Sequence, residues 1–304
     1  MPADTAPLTF GLALPNYRPG ATAEGIAAAA ETAARLGWES VWTTDHLLAD
    51  HTPPHADYTN LFEALTVLAW LAPQQPTLRL GTSVIVVPPR NAVILAKEVA
   101  SLDALSGGRL TLGIGIGWSR DEFARVGEEE RFRVRGSYTE EAVALWRHLW
   151  SGSEEPFHGR FHRFEDQVFS PVPAHGAALP IWMGGRAEPA LQRAGRIADG
   201  YQASSPTPEQ AAERALIVLA AAAAAGRPAP VLSARLRASF DPGAEPGWLL
   251  KGTPEAMLAD LERFVTAGYR HFVIDFVVTD PEQHTQAFER FHHEVASGRM
   301  ASPH

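Results

Sequence analysis

Asp45-His46 directly follows the apolar run Val41-Trp42-Thr43-Thr44. A histidine at the end of a strand is placed to give or take a proton, and a neighbouring carboxylate can orient it. The alternative is a structural histidine hydrogen-bonded within a loop. A second group, Gly184-Gly185-Arg186, follows Pro180-Ile181-Trp182-Met183 and precedes a helical stretch at 188–197. Such a turn offers a phosphate backbone N–H groups, the positive end of a helix and a cation. A side chain at Gly185 is expected to take the space of a phosphate oxygen. The alternative, a plain tight turn, leaves Arg186 unexplained.

Gly113-Ile114-Gly115-Ile116-Gly117-Trp118 has some of the spacing of a dinucleotide fingerprint, but its last glycine is replaced by Trp118. It reads better as a strand stripped of side chains so that a flat ring can approach the backbone. Trp118 would then stack on that ring or wall it off.

Other chemistries lack their residues. There is no cysteine, which removes disulfides, thiolate nucleophiles and cysteine metal sites. His51 and His55 are separated by Pro53-Pro54, so they share no helical face for a metal, and His292-His293-Glu294 has the wrong spacing for a zinc motif. Neither a G-x-S-x-G elbow nor a phosphate-binding G-x-x-x-x-G-K-[ST] loop occurs. No metal is expected. A net charge of −9 argues against nucleic acid as a partner. The start, Met1-Pro2-Ala3-Asp4-Thr5, does not read as a secretion signal, and the alanine-rich stretch 216–225 is too short to cross a membrane. A cytoplasmic setting is expected. These residues point to a flat, phosphate-bearing cofactor acting on a small molecule.

The elements that must hold these groups repeat. Thr207-Pro208-Glu209, Thr253-Pro254-Glu255 and Asp280-Pro281-Glu282 each set a capping side chain before a proline, with an acidic residue at the positive end of the helix dipole. Gly37, Gly226 and Gly268 mark helix ends. Strand candidates lie at 8–14, 40–43, 79–87, 110–115, 180–183, 200–204, 231–240 and 271–278. In the first, Leu8, Phe10, Leu12 and Leu14 alternate with small Thr9, Gly11 and Ala13, as in a barrel strand with a crowded inner face. Eight runs separated mainly by helices predict an α/β fold, a single (β/α)8 TIM barrel spanning residues 1–304, with an open doubly wound sheet as the alternative. The long connection between Gly117 and Pro180 is an insertion after strand four. It is expected to form a lid or substrate wall, or else an excursion that merely covers the barrel. The tail 297–304 is expected to fray.

Taken in order, the motifs resemble those of a known family. They are Phe10-Gly11-Leu12-Ala13-Leu14-Pro15-Asn16, Ser40 to His46, Leu80-Gly81-Thr82-Ser83-Val84, Ala96-Lys97, Leu102 to Leu110, Leu112 to Trp118, Pro180 to Gly185 and Ala198-Asp199-Gly200. Together they are similar to the luciferase-like monooxygenase superfamily, specifically its branch of coenzyme F420-dependent (deazaflavin) oxidoreductases, from about Phe10 to about Val295.

The resemblance implies hydride transfer between C5 of the deazaflavin and an organic substrate in a homodimeric enzyme. It implies that His46 is the acid/base and that Asp45 helps hold the ring. Ser83-Val84 would form a bulge with a non-prolyl cis peptide behind the ring, which Gly115 and Gly117 would line. Gly184, Gly185, Arg186 and Ser204 would receive the phosphate. An FMN-dependent monooxygenase is the alternative, and a cofactor-binding relative without catalysis is the third reading. Two positions depart from the family. Trp118 stands where some deazaflavin dehydrogenases carry a proton-donating glutamate, and Asp50 where many members have a tryptophan. Both leave the substrate open, and the first argues against a sugar phosphate.

Overall fold

In the computed structural model, residues 7–300 are described apart from 19, 50, 52–54, 246 and 279. Among the described residues, eight strands form the barrel: β1 (Thr9–Ala13), β2 (Ser40–Thr43), β3 (Arg79–Thr82), β4 (Leu110–Gly115), β5 (Ile181–Gly184), β6 (Gly200–Ser204), β7 (Val231–Ser239) and β8 (His271–Phe276). Each pairs in parallel with the next, and β8 pairs with β1 from Thr9↔His271 to Leu12↔Ile274, which closes the barrel. The open sheet is thereby excluded.

The inner face explains the glycines that interrupt these strands. A Cβ on Gly11, Gly81 or Gly200 would lie within 2.3–2.5 Å of the indole of Trp42 or Trp182. The two indoles stack at 5.2 Å, and His271 meets both edge-on. Two large rings thus fill the lower barrel where small residues make room. Outside the strands, Phe10, Leu12, Val41, Leu80, Leu112 and Ile274 bury themselves under the helices, so one period-two pattern serves two cores.

The helices are α1 (Ala23–Arg35), α2 (Ala64–Leu71), α3 (Ala92–Leu105), α4 (Arg120–Arg125), α5 (Arg131–Trp150), α6 (Glu188–Ile197), α7 (Pro208–Ala224), α8 (Pro254–Thr266) and α9 (Pro281–Phe291). Thr207, Thr253 and Asp280 cap α7, α8 and α9 with side-chain bonds to backbone N–H groups, each followed by proline. Gly37, Gly226 and Gly268 carry positive φ after helix ends. No described helix is long and apolar enough to cross a membrane.

Two expectations are corrected. The long connection is only partly an insertion, because α5 is an ordinary barrel helix. The indoles of Trp146 and Trp150 donate to the carbonyls of Ala92 and Ala96 in α3, fixing α5 against it. The aromatic-rich segment beyond it forms a small hairpin, Phe157–His158 with Arg163–Phe164. The Glu141 carboxylate on α5 accepts from the N–H groups of Arg160, Phe161 and His162, and Lys97 on α3 donates to the carbonyl of Ser170. That segment covers the outside of the helical layer and is no lid. Nor does the tail fray as far as 300: the Leu8 N–H donates to the Arg299 carbonyl, and Leu8 pairs with Met300. Residues 301–304 lie outside the described part.

Buried histidines give the fold a pH dependence. Burial holds the His271 imidazole down at about 3 and that of His284 at about 4. Once unfolded, both titrate near 6.5. Between those values the unfolded chain binds more protons than the folded one, so stability is full above about pH 6.5 and falls as the pH drops below it. At pH 5 each histidine is expected to cost about 2 kcal/mol relative to neutrality. Thermal unfolding at pH 7.5 and pH 5 checks this; an unchanged Tm would show that the two rings are not held neutral.

Candidate active site

The C-terminal ends of the strands open onto one mouth, and His46 stands at its edge. Its position begins with Asn16, just past β1 and fully buried. The Asn16 side chain accepts from the Thr44 N–H and donates to the Thr44 carbonyl, each at 2.9 Å, which clamps the chain where it leaves β2. Two residues on, His46 Nδ1 meets Glu122 Oε2 at 2.9 Å. Glu122 is on α4, is itself fully buried, and also accepts from the N–H groups of Leu47 and Leu48. Burial alone would raise the Glu122 carboxyl. The bonds from His46 and those N–H groups outweigh it and hold the group below the usual carboxylate range. An ionised partner on Nδ1 fixes the proton there and leaves Nε2 to exchange a proton with a substrate.

Glu122 was not singled out from the sequence. The only local signal, Ser119-x-x-Glu122, has capping-box spacing, and Ser119 does cap α4 by accepting from the Glu122 N–H. The carboxylate, however, turns to His46 instead of back to the cap.

Asp45 points elsewhere, as neighbouring residues in an extended chain do. Its carboxylate accepts from the Val86 N–H at 2.9 Å and from the Arg90 guanidinium at 2.7 Å, and the residue is only 2% exposed. Burial raises its carboxyl, against the pull of Arg90 and Val86. Both oxygens are spent within the protein. Asp45 thereby fixes the segment Ile85–Val86, which pairs with β4 behind the bulge.

The Ser83-Val84 peptide is cis. Ser83 Oγ donates to Gln202 Oε1 at 2.6 Å, and the Ser83 carbonyl accepts from Arg235 at 2.7 Å. Arg235 belongs to a buried cluster in which Asp275 takes hydrogen bonds from Arg235 and Tyr17 and pairs with Arg18 at 3.1 Å. Burial would raise the Asp275 carboxyl, but the two guanidinium groups hold it far below the ordinary range.

The glycines of β4 make room within the protein itself. A Cβ on Gly115 would lie 2.7 Å from Val84 Cγ2, and one on Gly113 would lie 1.9 Å from the Thr82 carbonyl. These residues clear space for the bulge, and Val84, partly exposed, presents itself to the mouth. Gly117 has φ +74, and a Cβ there would strike Phe123 and Val86 at 2.8 Å. It makes the turn into α4. Trp118 stands half exposed, edge-on to His46 with centroids 5.7 Å apart.

Across the mouth, β5 runs through Gly184 and Gly185 into α6, whose N-cap residue Ala187 provides no side-chain cap. The exposed Arg186 reaches within 3.5 Å of Ser204 Oγ at the end of β6, and Tyr201 donates to the Gly185 carbonyl. Uncapped N–H groups, a cation and a hydroxyl therefore converge at one helix start, a set of donors that fits a phosphate. The fold itself also requires glycine at 185. With φ +153, a Cβ there would lie 2.6 Å from the Ala190 methyl, so a side chain strains the fold itself. Asp50 lies outside the described residues. Among those described, no group of histidines and carboxylates could hold a metal.

Residues 8–301 match the family model for luciferase-like monooxygenases. The chain is 32% identical over 192 residues to an F420-dependent glucose-6-phosphate dehydrogenase of Kineococcus radiotolerans, a match covering 62% of this chain and 54% of that one. It is 31% identical over 118 residues to an FMNH(2)-dependent dimethylsulfone monooxygenase of Pseudomonas putida, covering 37% of this chain and 31% of that one. The chain thus spans about half or less of the length of these relatives. Among solved structures, an F420-dependent secondary alcohol dehydrogenase in complex with an F420-acetone adduct superposes with a TM-score of 0.82 at 18% identity, over 96% of this chain and 99% of that one.

Proposed function

The chain belongs to the luciferase-like monooxygenase family, and from that footing we propose that it is a coenzyme F420-dependent oxidoreductase acting on a small organic substrate. The observation that carries this reading is the His46–Glu122 pair beside the Val84 bulge, facing a phosphate cradle across one barrel mouth. Gly184, Gly185, Arg186 and Ser204 hold the phosphate; Ser83 and Val84 back the ring, with Asp45 and Arg235 keeping that wall in place. The deazaflavin supplies a carbon centre, C5, that takes up or releases hydride. His46 takes or returns the matching proton through Nε2, and Glu122 stabilises the imidazolium while His46 holds it. Trp118 limits what can approach His46 and has no proton to move, so the sugar phosphate of the dehydrogenase relatives is not carried over.

The second reading, a reduced-FMN monooxygenase, draws on the Pseudomonas putida relative, and the same cradle would take its phosphate. Titration separates the two. The protein is expected to bind coenzyme F420 more tightly than FMN, followed by the absorbance of each cofactor; micromolar FMN binding with no deazaflavin binding would promote the monooxygenase. A homodimer in the cytoplasm completes the proposal, and sedimentation of the purified protein tests the dimer.

The cradle makes its own prediction. Arg186 is exposed, so removing it costs the fold little, whereas a hydrogen bond to a charged phosphate contributes about 1.5–3 kcal/mol. Arg186→Ala is expected to weaken cofactor binding about 10- to 100-fold with an unchanged Tm. Equal affinity in the two proteins would remove Arg186 from the site.

A further inference from the structure

Two rings other than its own flank His46: Trp118 and, with centroids only 4.3 Å away, Tyr58. Tyr58 ends the short 3-10 turn His55–Tyr58 and stacks on Tyr17 at 5.6 Å with the planes 17° apart. Tyr17 is pinned in turn, donating to Asp275 at 2.7 Å and accepting from Arg18 at 2.7 Å. A rigid aromatic partner therefore sets where the Tyr58 ring stands.

The two carboxylates beside His46 are committed within the protein. Glu122 is buried and bonded to His46, Leu47 and Leu48, and Asp45 is committed to Val86 and Arg90. The Tyr58 hydroxyl is different. Among the described residues it has no hydrogen-bond partner, and the residue is only partly buried, so the group is open to a ligand. Burial raises the phenol above its ordinary value, outweighing the pull of Arg235 and Arg18, so at neutral pH it holds its proton and can donate it in a hydrogen bond. Exposed apolar side chains stand on the same edge: Leu48 is 47% exposed and Trp118 48%.

We propose that Tyr58 donates a hydrogen bond to the reacting oxygen of the substrate beside His46, and that the substrate is an uncharged carbonyl compound, or its secondary alcohol, with an apolar flank. This rests on the hydride-transfer reading above. In the oxidative direction the carbinol C–H bond breaks and its electron pair leaves with the hydrogen for the deazaflavin. The hydroxyl proton passes to His46 Nε2, and the C=O bond forms. Reduction runs the same exchange backwards. Tyr58 keeps its proton in both directions and steadies the oxygen as charge develops on it.

Tyr58→Phe keeps the ring, its stacking and its contact with His46, and deletes only the hydroxyl. Deazaflavin affinity is measured first, in both proteins, and is expected to agree within about twofold. Cyclohexanone and methylenecyclohexane, which has the same shape without the oxygen, are then titrated calorimetrically into the loaded enzyme. The wild type is expected to favour the ketone by about 10-fold or more, the scale of one hydrogen bond to a desolvated oxygen, and Tyr58→Phe to lose most of that preference. Turnover of a secondary alcohol should fall about 10²- to 10³-fold in the variant. A ketone preference that is absent from the wild type, or unchanged in Tyr58→Phe, overturns the proposal while leaving the function standing. Failure of the wild type to bind deazaflavin overturns the function and the proposal with it.

Discussion

Replacing His46 with alanine is expected to lower turnover by about 10²–10⁴, the usual contribution of a positioned acid or base. Cofactor affinity should stay near that of the wild type, because the phosphate cradle lies across the mouth at β5 and β6 and makes no use of the imidazole. Single-turnover hydride transfer, followed by the absorbance of the bound deazaflavin, separates the two effects. Glu122→Gln is the informative companion. It retains the shape of the partner at Nδ1 but removes the negative charge that stabilises the imidazolium, so its loss should be smaller than that of His46→Ala and accompanied by a shifted pH profile. Full turnover in the His46 variant would remove the residue from the chemistry altogether.

The largest effect on stability is expected at Asp275. This carboxylate is 4% exposed and lies between two buried guanidinium groups, Arg18 and Arg235. Asp275→Asn removes the carboxylate that both buried cations share, away from water. Breaking a buried pair from one side costs about 3–5 kcal/mol, because the stranded charge cannot regain its hydration. For a chain of this length that corresponds to roughly 10 °C in Tm. Arg235 also donates to the Ser83 carbonyl, so the variant should loosen the wall behind the cofactor and weaken its binding even where it remains folded. Guanidinium unfolding of wild type and variant measures the first effect and cofactor titration the second. A loss under about 1 kcal/mol would show that water reaches the cluster and screens it.

Much of the scaffold was legible in the chain because its rules are local. A strand announces itself by alternation over five or six residues, and the small residues between Leu8 and Leu14 already implied a crowded inner face, although not that Trp42 and Trp182 fill it. A helix start needs only a capping side chain and a proline, as at Thr207-Pro208, and an end needs a glycine that tolerates positive φ, as at Gly226. Family motifs added the Ser83-Val84 bulge and its cis peptide, which no local preference would have suggested. The amino-acid order by itself therefore determined the barrel, its strand boundaries to within a few residues, and the candidate positions of His46 and the glycine-arginine turn.

Barrel closure decided the rest, because it brings together residues that no short-range rule connects. Glu122 is 76 residues beyond His46, and its own neighbourhood advertises only a helix cap. Tyr17 and Asp275 stand 258 residues apart and meet only because β8 returns to pair with β1. The glycines of β4 were visible as missing side chains, but what fills the space depends on the fold: Val84 and the Thr82 carbonyl arrive there from β3 and its bulge. The aromatic run at 157–164 likewise has the composition of a pocket wall, yet Glu141 draws it onto the outside of α5. Composition states which groups are available to a site. Which way each carboxylate, glycine or ring is spent depends on its neighbours in space, and those were assigned only when the eighth strand closed on the first.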